Sequence, residues 1–252
     1  MFAHTFELID ILLPALIAGI LVLSTHVPLG FQVLKRGIIF IDLAIAQIAG
    51  VEIYELEHLF FAANYCISVL FAIGGAGIIA LFERYAKAQL EALIGCLYVL
   101  SATGAFLLLA HDPHGGDLLK QVLSGQILWV TFDDIYLHAM IYAGLFIALI
   151  SKPNILSGKW FYLIFAIAIT SSVQLVGVFL VFSTLIIPSI ASSKLGGLKK
   201  YYKAYIVGLS GYLLGLIASA NYDLPSGASI VWCLAIVAII FNLLPKKALN
   251  NN

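Results

Sequence analysis

Charged residues are scarce in this sequence, and their scarcity excludes most soluble folds. Only 10% of the 252 residues are Asp, Glu, Lys or Arg, and 62% are hydrophobic, with a mean hydropathy of +1.06. A soluble domain carries about 25% charged residues, and a chain of this size cannot hide so much apolar surface from water. We therefore predict an all-α, polytopic integral membrane protein with about eight or nine transmembrane helices.

Cysteine is also scarce, and neither sign of charge is in excess. Cys66, Cys96 and Cys233 form no CxxC pair and no disulfide framework, so we interpret them as small buried side chains. Lys plus Arg and Asp plus Glu number 13 each, so nothing indicates a nucleic-acid partner. The sequence has no HExxH and no Walker A pattern, which excludes ATP hydrolysis by the chain itself.

Eight apolar runs mark the membrane spans, and one run is too long for a single crossing of roughly 20 residues. The run at 160–193 is interrupted by Ser171, Ser172 and Gln174 and then by Gly177, so it forms either one long tilted helix or two short helices. The runs lie at 10–29, 37–54, 60–82, 91–110, 135–151, 160–193, 204–220 and 227–244.

Positive charges decide between these alternatives, because cytoplasmic loops carry the excess of Lys and Arg. If 160–193 crosses twice, every Lys and Arg except Lys120 lies on one side. A single crossing mixes the two sides, so we predict nine spans in one domain over 1–252, with the N-terminus outside, and keep eight as the alternative. The residues on the predicted inner side are Lys35, Arg36, Arg84, Lys87, Lys152, Lys159, Lys194, Lys199, Lys200, Lys203, Lys246 and Lys247.

Asp42 is an ionisable residue inside the second span. A charge at mid-helix costs roughly 2.5–3.5 kcal/mol on insertion scales, and such residues usually face an aqueous path or a partner. Gln47 and Glu52 follow at five-residue steps, which do not share one narrow helical stripe. We interpret Asp42, Gln47 and Glu52 as part of a cation path. The alternative is that Asp42 pairs with Lys35 or caps a helix near the inner surface.

A second group of metal-ligand residues, His111, Asp112, His114 and Asp117, is packed into one loop. Imidazole and carboxylate suit Zn²⁺, Mn²⁺ or Fe²⁺. The spacing matches no closed metal site, and the Pro and Gly residues between them are typical of a turn, so we interpret the segment as a solvated loop.

Gly208-Leu209-Ser210-Gly211 matches the GxSG pattern of intramembrane serine proteases. That chemistry needs a histidine base, which the protease family supplies from a later span, whereas every histidine here precedes Ser210. Small residues spaced for close helix packing explain the pattern better, and an intramembrane enzyme is kept only as an alternative. The histidines are His4, His26, His58, His111, His114 and His138.

A basic segment follows Pro188 directly. Pro188 and the paired glycines Gly196 and Gly197 are expected to end one helix and turn the chain at the inner surface. The segment Ser192–Lys203 is then either an amphipathic element that docks to a cytosolic partner or a basic anchor on anionic lipid.

Four blocks of sequence recur in the same order in a known family. They are Pro28–Gly30 with Lys35–Ala44, Leu90–Gly95, Leu123–Thr131 with Asp134, and Leu175–Ala191 with Tyr222–Ala228. In these blocks the chain resembles the permease subunits of the metal-type ABC importers, which take up zinc, manganese or iron.

The resemblance implies a homodimeric, multi-pass permease of the cell membrane that is not itself an enzyme and binds no cofactor. Two cytosolic ATPase subunits would drive alternating access, and an extracytoplasmic binding protein would deliver a divalent metal ion. Asp42 would be a metal ligand. The residues implied as a coupling helix against the ATPase are Ser192, Ser193, Lys194, Leu195, Gly196, Gly197, Leu198, Lys199 and Lys200.

The sequence departs from the family pattern at two places. The family usually has a histidine four residues after the aspartate, but here that position is Ala46, and Gln47 is a poorer ligand for a transition metal. The segment Ser151–Lys159 is also shorter than usual. A metal chelate such as a siderophore therefore stays open as the cargo, as does a non-transporting scaffold or sensor of the same fold.

Overall fold

In a computed structural model, the described residues form nine α-helices. The residues described are 2–50, 61–109, 116, 123–125, 127–151, 155–158 and 160–243. The predicted all-α class is confirmed. Single turns of 3₁₀-helix lie at Lys87–Gln89, Ile127–Trp129 and Ile155–Ser157. The helices are α1 (Phe2–Arg36), α2 (Ile41–Gly50), α3 (Phe61–Tyr85), α4 (Leu90–Leu109), α5 (Phe132–Ser151), α6 (Phe161–Val176), α7 (Val178–Ser192), α8 (Gly197–Tyr222) and α9 (Ser226–Leu243).

Most of these helices are suited to a bilayer. Five in the described part of the chain, α1, α3, α4, α5 and α8, are long and apolar enough to cross it. The helices α6 and α7 are apolar but shorter, at 16 and 15 residues, and the apolar stretch Ser226–Asn242 of α9 is also shorter than the five. The chain is therefore a multi-pass membrane protein, as its hydropathy predicts.

Several helix ends differ from the predicted spans. The first helix continues to Arg36 rather than ending at 29, the second begins at Ile41 rather than 37, and α8 begins at Gly197 rather than 204. Hydropathy marks the part of a helix that lies in hydrocarbon, whereas backbone hydrogen bonding continues beyond it. The basic residues after Gly197 consequently lie on a helix and not in a loop.

Proline does not end helices here, contrary to the expectation for Pro188, which lies inside α7. Pro28 lies inside α1 and has no N–H to donate to the carbonyl four residues earlier, that of Ser24. Tyr205 of α8 donates its hydroxyl proton to this carbonyl at 3.0 Å. A neighbouring helix thus satisfies a backbone group that lipid could not.

The long apolar run at 160–193 forms two helices that meet at Gly177. The start of α6 lies at the inner end of α1, where Phe161 is 4.5 Å below the Arg36 guanidinium. The chain that leaves α7 enters α8, whose Tyr201 packs on Phe31 near the same end of α1 at 5.0 Å. Both free ends of this helix pair are therefore on one side, which favours two crossings and the nine-span alternative.

The apex of the pair is a contact between backbones. Gly177 has φ 82° and ψ 162°, a conformation essentially restricted to glycine. A Cβ on Gly177 would overlap the backbone of Gly125 and Ser124, and a Cβ on Gly227 would overlap the Ser124 carbonyl. We name Ser124, Gly125, Gly177 and Gly227 the apex cluster. It joins the α6–α7 corner, the segment before α5 and the start of α9.

The GxSG pattern also belongs to close packing. Gly208 faces Leu23 of α1, and Gly211 faces Leu234 of α9, each too closely for a Cβ. Gly215 approaches the Ile230 backbone in the same way. These contacts agree with the packing interpretation, because small residues let apolar helices approach where lipid gives no hydrophobic drive.

The cysteine interpretation was wrong. Cys66 and Cys96 are exposed, and Cys233 is half-buried. All three are free thiols. The physical reason is that the surroundings of a membrane helix are themselves apolar, so a small hydrophobic side chain gains little from being placed inside.

Replacing Gly177 with alanine tests the apex cluster. We expect Gly177→Ala to lower the free energy of unfolding by at least about 1–3 kcal/mol, the usual cost of such a backbone conformation in a residue other than glycine. Thermal unfolding of the purified protein in detergent measures the change. Gly104→Ala on α4 is the matched control, since its Cβ meets nothing within 4 Å. Equal stability of the two variants would contradict the role of the apex.

Candidate functional site

Asp42 lies in the first turn of α2, and its side chain is only 1% exposed. The backbone amides of Asp42 and Leu43 are close to the carboxylate, but neither oxygen has a hydrogen-bond partner among the described residues. No ion pair joins it to Lys35 in the part of the chain that the structure describes. A buried carboxylate without a partner is costly, so its retention within a membrane helix marks a candidate site.

Glu91, in the first turn of α4, is a second carboxylate near Asp42. Its Oε1 accepts a hydrogen bond from the Phe40 backbone N–H at 3.3 Å. Its Oε2 is buried and has no partner among the described residues. Since Phe40 precedes Asp42 by two residues, the N-termini of α2 and α4 bring these two acidic side chains to one place.

The remaining predicted path residues are only partly described. Gln47 is buried on α2 at 5% exposure, next to the buried Ala46. Glu52 lies outside the described residues, as do His111, Asp112, His114 and Asp117. Within the described ranges, no three His, Cys, Asp or Glu side chains lie close enough together to hold a metal ion.

Arg36, the last residue of α1, ties the inner ends of several helices together. Its Nη1 donates to Glu83 of α3 at 2.9 Å, and its Nη2 donates to the carbonyls of Leu156 and Gly158 at 3.3 and 3.1 Å. The guanidinium stacks over the Phe161 ring of α6. One side chain thereby fixes α1, α3 and the α5–α6 connection relative to one another.

A buried histidine network, which the sequence pattern does not predict, links α1, α5 and α6. His26 Nδ1 donates to the Val22 carbonyl at 2.9 Å, and His26 Nε2 lies 3.2 Å from Ser172 Oγ. Tyr142 reaches the same Ser172 oxygen at 2.7 Å. We name His26, Tyr142 and Ser172 the central network. Val22 and Ser172 together occupy both nitrogens of the His26 imidazole, so the network joins helices rather than presenting a free metal ligand.

A parallel contact lies one residue away on α6. His138 Nδ1 is 2.8 Å from Ser171 Oγ, and both side chains are buried. The signal in the sequence was the pair Ser171–Ser172 within an apolar run, which was interpreted as a break between helices. Its side chains instead satisfy two intramembrane imidazoles.

The implied coupling segment has a different shape from the one expected. Ser192 is the buried last residue of α7, the chain turns at Ser193–Lys194, and α8 begins at Gly197. There is thus no separate helix over Ser192–Lys200, because Gly196 and Gly197 break the helix there, and Gly197 has φ 59°. On the first turns of α8, Leu198 is 85% exposed and Tyr202, one turn later, is 71% exposed.

Asp134 has a structural explanation. Its Oδ2 accepts hydrogen bonds from the Thr131 backbone N–H at 2.9 Å and from the Thr131 hydroxyl at 2.7 Å. Thr131 Oγ1 in turn accepts the Asp134 N–H at 3.4 Å. This reciprocal capping box begins α5.

The fold is that of a polytopic helical membrane protein, and its candidate site is built on the buried carboxylate of Asp42. The sequence profile of the ABC 3 transport family matches residues 151–244. The resemblance to permease subunits of metal-type ABC importers is thereby confirmed.

Solved structures have the same fold. The chain is similar to PsaBC from Streptococcus pneumoniae, solved in complex with a Fab, with a TM-score of 0.74 and 19% identity over 98% of this chain and 97% of that one. It is also similar to a metal-chelate type ABC transporter in an inward-facing conformation, with a TM-score of 0.67 and 16% identity over 91% and 84% of the two chains. A comparison with curated protein sequences gives no match.

Removing the Ser172 hydroxyl tests the central network. Ser172→Ala leaves His26 Nε2 and the Tyr142 hydroxyl without this buried partner, so we expect a loss of about 1–3 kcal/mol in the free energy of unfolding. Denaturation of the purified protein measures it. Thr103→Ala removes a hydroxyl that bonds only to carbonyls of its own helix at an exposed position, and should change stability little. A small loss at Ser172 would show that the network contributes nothing.

Proposed function

We propose that the chain is the membrane-spanning permease subunit of an ATP-binding-cassette importer for a divalent transition metal ion, zinc, manganese or iron. The carrying observation is Asp42, a buried carboxylate without a hydrogen-bond partner, in a fold shared with ABC transporter structures. The likeness to a metal-chelate type transporter supports the alternative cargo, a chelate such as a siderophore. A scaffold or sensor without transport is the third possibility.

In this function the permease works as a homodimer, and the metal ion passes between its two copies by alternating access. A separate cytosolic ATPase supplies the energy, and an extracytoplasmic binding protein delivers the ion. Asp42 offers negative charge and oxygen ligands at the inner end of α2, where a cation would be released toward the cytosol. Gln47 and Glu52 are proposed to continue the path outward.

Coupling to the ATPase is proposed at the inner turn, Ser192–Lys200. The exposed Leu198 and Tyr202 form an apolar face at the start of α8, which suits a groove on a soluble partner. Lys200 lies 4.7 Å above the Phe31 ring, so this face is fixed against α1. A force applied to this face by the ATPase would therefore move α1 and α8 together.

Uptake into proteoliposomes tests the function. The vesicles hold the permease with its co-encoded ATPase and binding protein, and Zn²⁺, Mn²⁺ and Fe²⁺ are offered separately with internal ATP. We expect ATP-dependent uptake of one ion, and a loss of at least tenfold in Asp42→Asn because the path loses its charge. Asp133→Asn, an exposed carboxylate in the first turn of α5, is the control.

The outcomes separate the three possibilities. Uptake of a metal chelate but not of the free ions would establish the alternative cargo. ATP hydrolysis without movement of any ion or chelate would support the non-transporting protein. Full metal uptake by Asp42→Asn would return that residue to a capping role.

A charge at Leu198 tests the coupling face. We expect Leu198→Asp to reduce uptake at least tenfold and to abolish the coupling of ATP hydrolysis to transport, because a carboxylate would be desolvated against the ATPase. The permease should still fold and dimerise, as size-exclusion chromatography would show. Leu224→Asp places the same charge on an exposed leucine after the opposite end of α8 and should leave uptake unchanged. Normal transport by Leu198→Asp would exclude this face.

A further inference from the structure

We propose that Asp42 and Glu91 together form a divalent-cation site of oxygen ligands at the inner end of the permease. Glu91 is the residue that this site adds to Asp42. The cation bound there is one that prefers oxygen ligands, and Mn²⁺ is the transition-metal ion with that preference. It rests on the proposed function for its place in transport, but the binding itself is a property of this chain alone.

The Phe40 N–H holds Glu91 Oε1 at 3.3 Å, two residues before Asp42, so the Glu91 carboxylate lies at the start of α2. Asp42 occupies the first turn of α2 and Glu91 the first turn of α4. The two acidic groups therefore meet where two helix N-termini converge, and both helix dipoles favour negative charge there.

The hydrogen bonding of the carboxylate oxygens indicates what the Asp42–Glu91 pair can bind. Asp42 Oδ1, Asp42 Oδ2 and Glu91 Oε2 are buried, and none has a hydrogen-bond partner among the described residues. The side chain of Asp42 is only 1% exposed. Buried polar groups in proteins are nearly always paired, so three orphaned carboxylate oxygens in one place indicate a ligand with positive charge.

Arg36, the last residue of α1, directs its hydrogen bonds to other groups. Arg36 donates to both oxygens of Glu83, at 2.9 and 3.3 Å, and to two backbone carbonyls. Its ion pair with Glu83 and its hydrogen bonds to the two carbonyls hold helix ends together. A bound cation would supply the positive charge that the Asp42–Glu91 pair does not receive from Arg36.

The ligands of the Asp42–Glu91 pair determine which kind of ion it favours. The two imidazoles whose side chains the structure describes are engaged elsewhere, since His26 bonds to Val22 and Ser172 while His138 bonds to Ser171. Two carboxylates without imidazole or thiolate suit Mg²⁺ and Mn²⁺, whereas zinc sites typically include nitrogen or sulfur ligands. The pair thus favours a hard cation over zinc.

Binding to the isolated permease tests the proposal without ATPase or binding protein. The full chain is placed in nanodiscs of neutral lipid and titrated with Mn²⁺, and free Mn²⁺ is followed by its electron paramagnetic resonance signal. We expect saturable binding, weakened at least tenfold by Glu91→Gln and by Asp42→Asn. Competition should show that Mg²⁺ displaces Mn²⁺ and that Zn²⁺ has no large advantage.

Controls make each result decisive. Asp133→Asn should bind like the original chain, and Glu91→Asp, which keeps the carboxylate, should bind better than Glu91→Gln; this ranking also separates loss of a ligand from loss of folding. Unchanged Mn²⁺ binding in Glu91→Gln overturns the proposal. So does an absence of saturable binding in the original chain, which would mean that the two carboxyl groups share a proton instead.

The two proposals fail separately. If uptake of a metal is observed while Glu91→Gln binds Mn²⁺ normally, the transport function stands and the Asp42–Glu91 site is wrong. If binding requires both carboxylates but no ion or chelate is transported, the site stands and the importer function is wrong.

Discussion

The contacts of Arg36 hold the inner half of the structure in place. Its guanidinium reaches Glu83 on α3 and the carbonyls of Leu156 and Gly158 in the α5–α6 connection, and it lies over the Phe161 ring at the start of α6. Directly after it, Gly37 adopts φ 68° and lets the chain turn into α2. The position of Asp42, and through Phe40 that of Glu91, follows from where this arginine ends α1.

The outer half depends on a different constraint, the absence of side chains. Gly125, Gly177 and Gly227 bring three segments together at distances that no Cβ would allow. Between the inner and outer halves, polar groups form hydrogen bonds within the protein. Ser172 bonds to His26 and Tyr142, and Tyr205 donates to the Ser24 carbonyl, which Pro28 leaves without an N–H donor. Lipid offers no hydrogen bonds, so such internal pairing is what allows the helices to carry polar residues at all.

Composition alone was enough to predict the fold class, since a bilayer is the only solvent for this chain. The charge distribution favoured two crossings in 160–193, because the positive-inside rule acts on loops that flank the helices. The two helices that meet at Gly177 agree with that prediction. Helix ends were predicted poorly at Arg36 and Gly197, since hydropathy does not report hydrogen bonding beyond the hydrocarbon.

The candidate site could be predicted only in part from the sequence. Asp42 was identified because one carboxylate in an apolar run is conspicuous. Glu91 was seen only as part of a family motif, because its proximity to Asp42 arises from the packing of α2 against α4. His26 and His138 were missed for a similar reason: their serine partners are more than 30 residues away in sequence, and a single histidine in a span gives no sign of what it contacts.

The length and continuity of α8 have a mechanical consequence. Its 26 residues extend without a break from Gly197 to Tyr222, a rod of about 39 Å at 1.5 Å per residue. Close glycine contacts bind this rod to α1 on one flank and to α9 on the other. A displacement of the inner end of α8 would therefore tilt the whole helix and move its outer end. Movements on the two sides of the membrane would be coupled through this one helix.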